Sequence, residues 1–276
     1  MQQVKAIIAT THVDKHGDVL ILAALESMVE QMSAMALPVH VEHDPRDPPI
    51  GRIVGARVVP LDDGYHGVEA EMEIFEPQDE LPTFQFSKDI PINTFPNEAL
   101  QVVYDRSYTN GEDQTDIREL SEALGTEPQE YVKKALEPLS VLMIGGAGFV
   151  LGQIAAGFFG RLGEDGYAAF KQGLNRLFKR NTLRGKESLL QLSFTLEYQG
   201  TVFETQLILT NPDATDLEQV LAEGLAALDR IVPRLVTADA NLSKLVFEYR
   251  KGGIVLRYGV RKDGYPMIWK SSIDDA

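Results

Sequence analysis

Cysteine is missing from this 276-residue chain, and basic residues are scarce beside acidic ones. Without cysteine there is no disulfide, no thiolate nucleophile and no cysteine-ligated zinc, which fits a reducing cytoplasm. The N-terminal stretch carries charges and histidines where a signal peptide needs an apolar core, so we expect no export. Hydrophobic residues make up 44% of the chain, enough to bury a core in two or three compact units.

The shortage of positive charge is greatest in the first third of the chain. Residues 1–90 hold 6 Lys and Arg against 16 Asp and Glu, whereas residues 161–276 hold 16 against 15. An acidic front half repels a phosphate backbone, which argues against nucleic acid as its ligand. A polypeptide partner fits better, although a solvated acidic surface explains most of these carboxylates.

Charged residues are also missing from the segment Leu139–Gly160, which is long enough to cross a hydrocarbon layer of roughly 30 Å. Its glycines would let backbones approach closely in lipid or in a packed core. Three structures stay open: a membrane span, a buried core helix, or a strand and a helix separated at Gly145-Gly146. The next residues predict an amphipathic helix that ends in a basic linker, 179–187.

Hydrophobic periodicity predicts strands and one helix in the first third of the chain. Strands are expected at Val4–Ala9, 38–43, Arg52–Val59 and Val68–Phe75, and a helix at 20–36. Asp63-Gly64 provides the turn of a hairpin between the last two strands. In the second arm, apolar residues alternate with Glu69, Glu71 and Glu73, so one face is predicted to be core and the other wet.

The remaining patterns are shorter. Phe84–Ile90 and Ala99–Asp105 fit extended pieces, and capping-box patterns predict two short helices that start near Ile117 and Glu127. Gly125 would end the first of these helices. From residue 189 onward the order of elements is strand, strand, helix, strand, strand, which predicts a small α+β domain.

The segment His40–Arg52, HVEHDPRDPPIGR, is the best candidate for a site, because it combines histidine, acids and arginines with a rigid Pro-Pro turn. His43 can act as a general base since its pKa lies near neutrality; the alternative is a histidine that caps a turn. His12, His16, His40 and His43 fall in the same region but match no strong metal-ligand spacing. We therefore predict no metal and no cofactor, with a metal-dependent hydrolase as an alternative.

Three segments resemble the tailed-phage prohead, or capsid-maturation, proteases: THVDKHGDVL (11–20), PVHVEHDPRDPPIGRIVGARV (38–58) and DGYHGVEAEMEIFE (63–76). The resemblance covers about the first 90 residues. It implies a β-barrel-like serine protease domain that uses a His–Ser pair with an acidic third group. By position, His43 matches the family's histidine, and the positions Asp14–Asp18 and Gly51-Arg52 match its structural motif.

The resemblance points to Ser87, in FQFSKDI, as the nucleophile. The chain departs here from the family pattern, because the helix before the serine and the glycine after it are missing. A nucleophile needs oxyanion donors beside it, and Lys88-Asp89 does not provide the backbone freedom of glycine. Glu73, or its neighbours Glu69 and Glu71, could orient His43 as a triad acid; a solvated strand face is the alternative.

The sequence thus predicts an α+β protein in three parts: a prohead-protease-like β-domain (1–110), a helical segment with the glycine-rich run (111–182) and a ββαββ domain (183–276). We expect a non-catalytic or weakly catalytic protein that binds a polypeptide. It would assemble as a homo-oligomer, or anchor to a membrane, through residues 139–160, and its location would be cytoplasmic or membrane-associated. An active serine endopeptidase that uses His43, Ser87 and Glu73 is the main alternative.

Overall fold

The chain is a mixed α+β protein with two β-sheets, as its computed structural model shows. The structure describes residues 1–13, 19–41, 44–76, 100–108, 110–131, 139–250 and 253–268. Two compact units are formed: a first unit of Met1–Pro91 with Val260–Met267, and a second of Ile92–Gly259 with Ile268–Ala276. The predicted α+β class is confirmed, while the division into units differs from the three predicted parts.

The first unit contains a four-stranded antiparallel sheet in the order β1-β4-β3-β2. Its elements are β1 (Gln2–Thr10), α1 (Leu22–Ala34), β2 (Leu37–Val39), β3 (Gly51–Pro60) and β4 (His66–Ile74). The sheet is open, and the described residues form no closed barrel, in contrast to the predicted barrel-like domain. The predicted hairpin of β3 and β4 is confirmed, with Gly64 at φ 84° in its turn.

The core of the first unit follows from the alternation in β4. Val68 and Ala70 are fully buried, and α1 packs its buried Leu25 and Met32 over the same side of the sheet as Val68. Glu71 is exposed on the other side of the strand. Because successive strand residues point to opposite faces, this pattern fixes which face of β4 takes the helix.

The larger sheet has eight strands in the order β12-β11-β10-β9-β8-β7-β5-β6. Its strands are β5 (Gln101–Asp105), β6 (Gln129–Tyr131), β7 (Leu139–Phe149), β8 (Glu187–Tyr198), β9 (Thr201–Thr210), β10 (Leu242–Arg250), β11 (Gly253–Arg261) and β12 (Pro266–Met267). The helices beyond residue 100 are α2 (Gly111–Ala123), α3 (Ile154–Leu183), α4 (Ala214–Gln219) and α5 (Leu225–Ala238), with a π-helical turn at Val220–Gly224 between the last two.

Helical crossovers connect the parallel strands of this sheet. β7 and β8 are parallel and joined through α3, and β9 and β10 are parallel and joined through α4 and α5. β8 and β9 form an antiparallel hairpin whose turn places Gln199 and Gly200 at positive φ. A parallel neighbour needs a crossover, whereas an antiparallel neighbour needs only a turn. The strands predicted for a small ββαββ domain are present as β8, β9, β10 and β11, with α4 and α5 between the two pairs, and they belong to one sheet together with β5, β6 and β7.

One face of the larger sheet is apolar and carries helix α3. Phe194 of β8 points to this face and lies 6.1 Å, centroid to centroid, from Phe158 of α3. Leu192 and Leu196 share the face by strand alternation and are buried. Phe158 also packs edge-on against Phe170 of the same helix, so these aromatic rings form the centre of the core.

The segment Leu139–Gly160 is a strand followed by a helix start. Strand β7 runs to Phe149, and the separation falls after that residue rather than at the predicted Gly145-Gly146. Gly148 and Gly152 have positive φ angles, which residues other than glycine rarely adopt. The single-helix alternatives are therefore wrong for this segment, and in the described ranges no helix is long and apolar enough to cross a membrane.

Two shorter predictions also need correction. No helix begins near Glu127, because Gln129–Tyr131 forms strand β6, parallel to β5. The predicted linker 179–187 belongs largely to α3, which continues to Leu183, with Gly185 at φ 68° just beyond it. Of the basic residues in this stretch, Arg180 lies in the last turn of α3 and Arg184 is its C-cap, and both bond to Asp113 of α2.

Candidate functional site

The three predicted catalytic residues fall in different parts of the chain. His43 and Ser87 lie outside the described residues, so their predicted pairing is not tested. Glu73 lies on β4, directly opposite Arg52 of β3 in the strand register. The structure therefore locates the acid of the predicted triad and leaves the histidine and the serine as predictions.

The described part of the His40–Arg52 segment is a hydrogen-bonded connection between β2 and β3. Ile50 donates its backbone N–H to Val39 O at 2.8 Å, which closes the connection at its base. His40 Nδ1 lies 3.1 Å from Asp47 O. Asp44 accepts from Arg46 Nε at 2.9 Å, and its other carboxylate oxygen lies 2.6 Å from an Arg46 terminal nitrogen. Asp44 and Arg46 are thus joined by a two-pronged ion pair.

Glycine is required where the connection enters β3. A Cβ on Gly51 would lie 2.5 Å from Glu73 O and 2.9 Å from Ile74 Cδ1. Real side chains do not approach a backbone oxygen so closely, so β3 and β4 can meet here because Gly51 has no side chain. The glycine of the Gly51-Arg52 pair, which is part of the resemblance to the prohead proteases, is therefore explained by the close packing of β3 against β4.

Among the described residues of the first unit, Arg52 is the charged side chain that is buried, with 2% of its surface exposed. Its Nε donates to Glu73 Oε2 at 2.9 Å, and a terminal nitrogen donates to the same oxygen at 2.8 Å. The other terminal nitrogen donates to the Asp263 carbonyl oxygen. The guanidinium also lies 5.9 Å from the ring centroid of Phe75, which packs against Tyr265.

The outer face of β4 carries a row of paired carboxylates. Glu69 accepts from Arg57 Nε at 2.9 Å, and Glu71 lies 2.5 Å from Lys5 Nζ. The hydrogen bond from Lys5 lowers the pKa of Glu71 below its ordinary value. With Glu73 bonded to Arg52, each of the three acids considered for a triad already bonds a basic side chain. Their observed contacts are those of a cross-strand charge ladder.

Three exposed apolar side chains lie between β1 and α1 in the sequence. Val13 and Val19 form an isolated antiparallel bridge, and Ile21 follows in extended conformation at the N-cap of α1. These three side chains are 65%, 57% and 68% exposed. Val13 and Val19 lie side by side as bridge partners, and Ile21 follows Val19 by two residues; the three exposed side chains are here called the apolar patch.

A buried polar cluster in the larger sheet was missed by the sequence analysis. Glu204 of β9 is 1% exposed and accepts from Ser193 Oγ at 2.5 Å and from Gln206 Nε2 at 2.6 Å. Lys244 Nζ of β10 lies 3.5 Å from the other carboxylate oxygen. The sequence signal was present: polar residues recur at every second position in β8 and β9, on the face opposite Phe194.

No comparison gives this chain a relative: family models, curated proteins and solved structures were searched without a match. The resemblance to prohead proteases therefore stays a prediction based on the quoted segments. No group of three or more His, Asp or Glu side chains within the described ranges is arranged to hold a metal ion.

Proposed function

We propose that the first unit is a polypeptide-binding module that holds an extended segment of a partner without cleaving it. The apolar patch of Val13, Val19 and Ile21 carries this proposal. Exposed apolar surface in contact with water is unfavourable, and when several such side chains lie together they mark interaction sites. An extended peptide is the occupant we propose, because its alternate side chains can pack on a row of β-branched residues.

The charge of the unit supports a basic partner. Residues 1–90 carry a net charge of −10, from 6 Lys and Arg and 16 Asp and Glu. Glu26 and Glu30 of α1 and Asp62 of the β3–β4 turn are exposed. A segment with lysine or arginine between its apolar residues would be attracted to this surface, and the attraction would weaken as salt is added.

The contacts of the predicted site support binding rather than cleavage. Glu73 accepts two hydrogen bonds from Arg52, and His40 is bonded to the backbone of Asp47. A triad acid must orient the catalytic imidazole, whereas Glu73 neutralises a buried guanidinium. The first unit would then share the fold of the prohead proteases without their activity. Substitution of His43 and Ser87 tests whether it has protease activity.

The test uses two synthetic peptides of twelve residues, one alternating lysine with valine and one alternating glutamate with valine. Ile21→Ser is the decisive variant, because serine removes the apolar side chain yet is a better N-cap for α1 than isoleucine. Val150→Ser is the matched control: Val150 is also exposed, at 56%, and belongs to the second unit.

We expect the full chain to bind the lysine peptide with an affinity that falls at least fivefold in Ile21→Ser and is unchanged in Val150→Ser, by fluorescence anisotropy. The glutamate peptide should not bind. Equal affinity of both variants, or binding of both peptides alike, would contradict the proposal. Cleavage of either peptide that is lost in both His43→Ala and Ser87→Ala would instead establish the serine endopeptidase alternative.

A further inference from the structure

The four-stranded sheet of the first unit has two edges that differ in length and composition. Strand β2 contains three residues, and one of them is Pro38, which has no N–H to donate. Strand β1 contains nine residues, Gln2–Thr10, and no proline. Short strands and prolines protect a sheet edge from further pairing. Strand β2 is therefore protected, whereas β1 is the edge to which another strand can be added.

The exposure of β1 agrees with a position at an open edge. Among the described strands, β1 pairs only with β4. Ile7 and Ile8 are 44% and 39% exposed. Lysine is a common guard of such edges, but Lys5 Nζ lies 2.5 Å from Glu71 of β4. The charge of Lys5 is thus held over the sheet and does not guard the edge.

Backbone hydrogen bonds at the two ends of β4 show which of its residues face β1. Phe75, directly after β4, donates its N–H to Ile50 O at 2.8 Å, on the side of β3. Backbone groups alternate in direction along a strand, so Ile74 and every second residue before it face β1. At the other end, His66 belongs to the same alternating set, and its carbonyl oxygen accepts from Thr11 N at 2.9 Å.

The same alternation identifies the backbone groups of β1 that face the open edge. The residues opposite Ile74, Met72 and Ala70 face β4, and these are Gln2, Val4 and Ala6. The residues that face away from β4 are therefore Gln3, Lys5 and Ile7. All three precede the register shift between Ile7 and Ala9, so their N–H and C=O groups have the regular two-residue spacing of a strand.

Charge distinguishes between the two kinds of strand that could occupy this edge. A second copy of the chain would bring another unit in which residues 1–90 carry a net charge of −10, so the two units would repel each other. An extended segment that carries lysine or arginine is attracted instead. The observations therefore favour a basic polypeptide segment over self-pairing.

We propose that the partner segment of the first unit adds to β1 as a fifth strand of its sheet. This inference rests on the proposed function, and it assigns the way in which the extended segment is held. Backbone hydrogen bonds to Gln3, Lys5 and Ile7 bind the chain of the partner whatever its sequence. The apolar patch begins at Val13, two residues after Thr11, and selects among partners by their side chains.

N-methylated peptides test the proposal on the unmodified full chain. In an extended peptide that alternates lysine with valine, the lysine N–H groups point to one edge and the valine N–H groups to the other. One probe carries N-methyl groups on its three central lysines, and the matched probe carries them on its three central valines. We expect one of the two to bind about tenfold more weakly than the unmethylated peptide, and the other to remain within about twofold, by fluorescence anisotropy.

Equal affinities of the two methylated peptides would overturn strand addition, because only one edge of an added strand contacts β1. If Ile21→Ser still weakens binding of the unmethylated peptide in that case, the proposed function stands without strand addition. If the unmethylated peptide does not bind at all, the proposed function fails and strand addition fails with it.

A variant of β1 tests the edge from the side of the protein. Gln3→Pro removes an N–H that faces away from β4, so the fold should be kept while the lysine peptide binds about fivefold more weakly. Gln3→Thr keeps the N–H and is the matched control, and circular dichroism compares the Tm of both variants with that of the wild type. Equal binding by the two variants would contradict the proposal.

Sedimentation of the wild-type chain without peptide tests self-pairing. A dimer that becomes a monomer in Gln3→Pro would assign the edge to a second copy of the chain and overturn the proposal. If Gln3→Pro does not fold, the methylated peptides decide, since they are measured on the wild-type chain.

Discussion

The two units bury opposite charges. In the first unit the cation is inside: the Arg52 side chain is 2% exposed and that of Glu73 18%. In the second unit the anions are inside: Asp113 and Asp116 of α2 are 1% and 6% exposed, while Arg180 of α3 is 22% exposed. A buried charge that loses its partner destabilises the fold strongly. Substituting the partners of Arg52 in the first unit, or of Asp113 and Asp116 in the second, should therefore lower the free energy of unfolding.

The clusters also differ in how their bonds are shared. Asp113 accepts from Arg180 Nε at 3.0 Å and from Arg184 at 2.5 Å. Asp116 accepts from Arg176 Nε at 2.7 Å and also from Arg180. The helical spacing of three arginines along α3 thus gives each aspartate two cations, and loss of one arginine leaves another in place.

Changing the partner of the buried cation should have the largest effect. Glu73→Gln removes the negative charge beside Arg52, and we expect a loss of about 3 kcal/mol in the free energy of unfolding. Urea denaturation followed by circular dichroism measures it. Glu71→Gln on the same face is the control and should cost little, because that pair is exposed.

The cause of this loss can be separated from lost packing. The double variant Arg52→Met/Glu73→Met removes both charges and keeps apolar bulk, so it should be more stable than Glu73→Gln alone. Equal stability of these two variants would contradict the view that the unpaired charge of Arg52, rather than its lost hydrogen bonds, causes the loss in the free energy of unfolding of Glu73→Gln.

A smaller effect is expected where partners are shared. Arg184→Gln leaves Asp113 bonded to Arg180, so the loss should be about 1 kcal/mol in the same denaturation measurement. Arg118→Gln, at an exposed position of α2, serves as the control. A loss as large as that of Glu73→Gln would mean that the sharing of arginines gives the aspartates no protection.

The smallest effect concerns the exposed end of the charge ladder. The bond from Lys5 lowers the pKa of Glu71 from its ordinary value of 4.5. The pair therefore stabilises the fold above that pH, and its contribution is lost as the pH falls through the lowered pKa. In Lys5→Met, a carbon-detected NMR titration should find the pKa of Glu71 raised toward 4.5; an unchanged pKa would show that Lys5 is not its cause.

Local patterns predicted the elements whose signal lies within a few residues. The alternation from Val68 to Ile74 specified β4 and its core face, and Asp63-Gly64 specified the hairpin turn. The apolar run from Leu139 did not distinguish a helix from a strand, because an uninterrupted apolar segment fits either when it is buried. Its pairing with β5 and β8 decided the matter.

The sites were much less accessible from sequence. Glu73 was predicted as a triad acid because its actual partner is not visible in the local sequence. Arg52 is 21 residues away and becomes its neighbour only when β3 pairs with β4. Glu204 and Lys244 of the buried polar cluster are 40 positions apart, and each is locally an ordinary polar residue. His43 and Ser87 remain predictions from the resemblance.

By itself the sequence determined the α+β class, the acidic character of the first third and the positions of most strands. These depend on composition and on periodicities of two and 3.6 residues, which are local properties. Tertiary structure alone decided that Arg52 is a buried cation, that arginines of α3 form ion pairs with aspartates of α2, and that Lys244 lies beside the buried Glu204. Such meetings depend on strand order and helix packing, and no short stretch of chain records them.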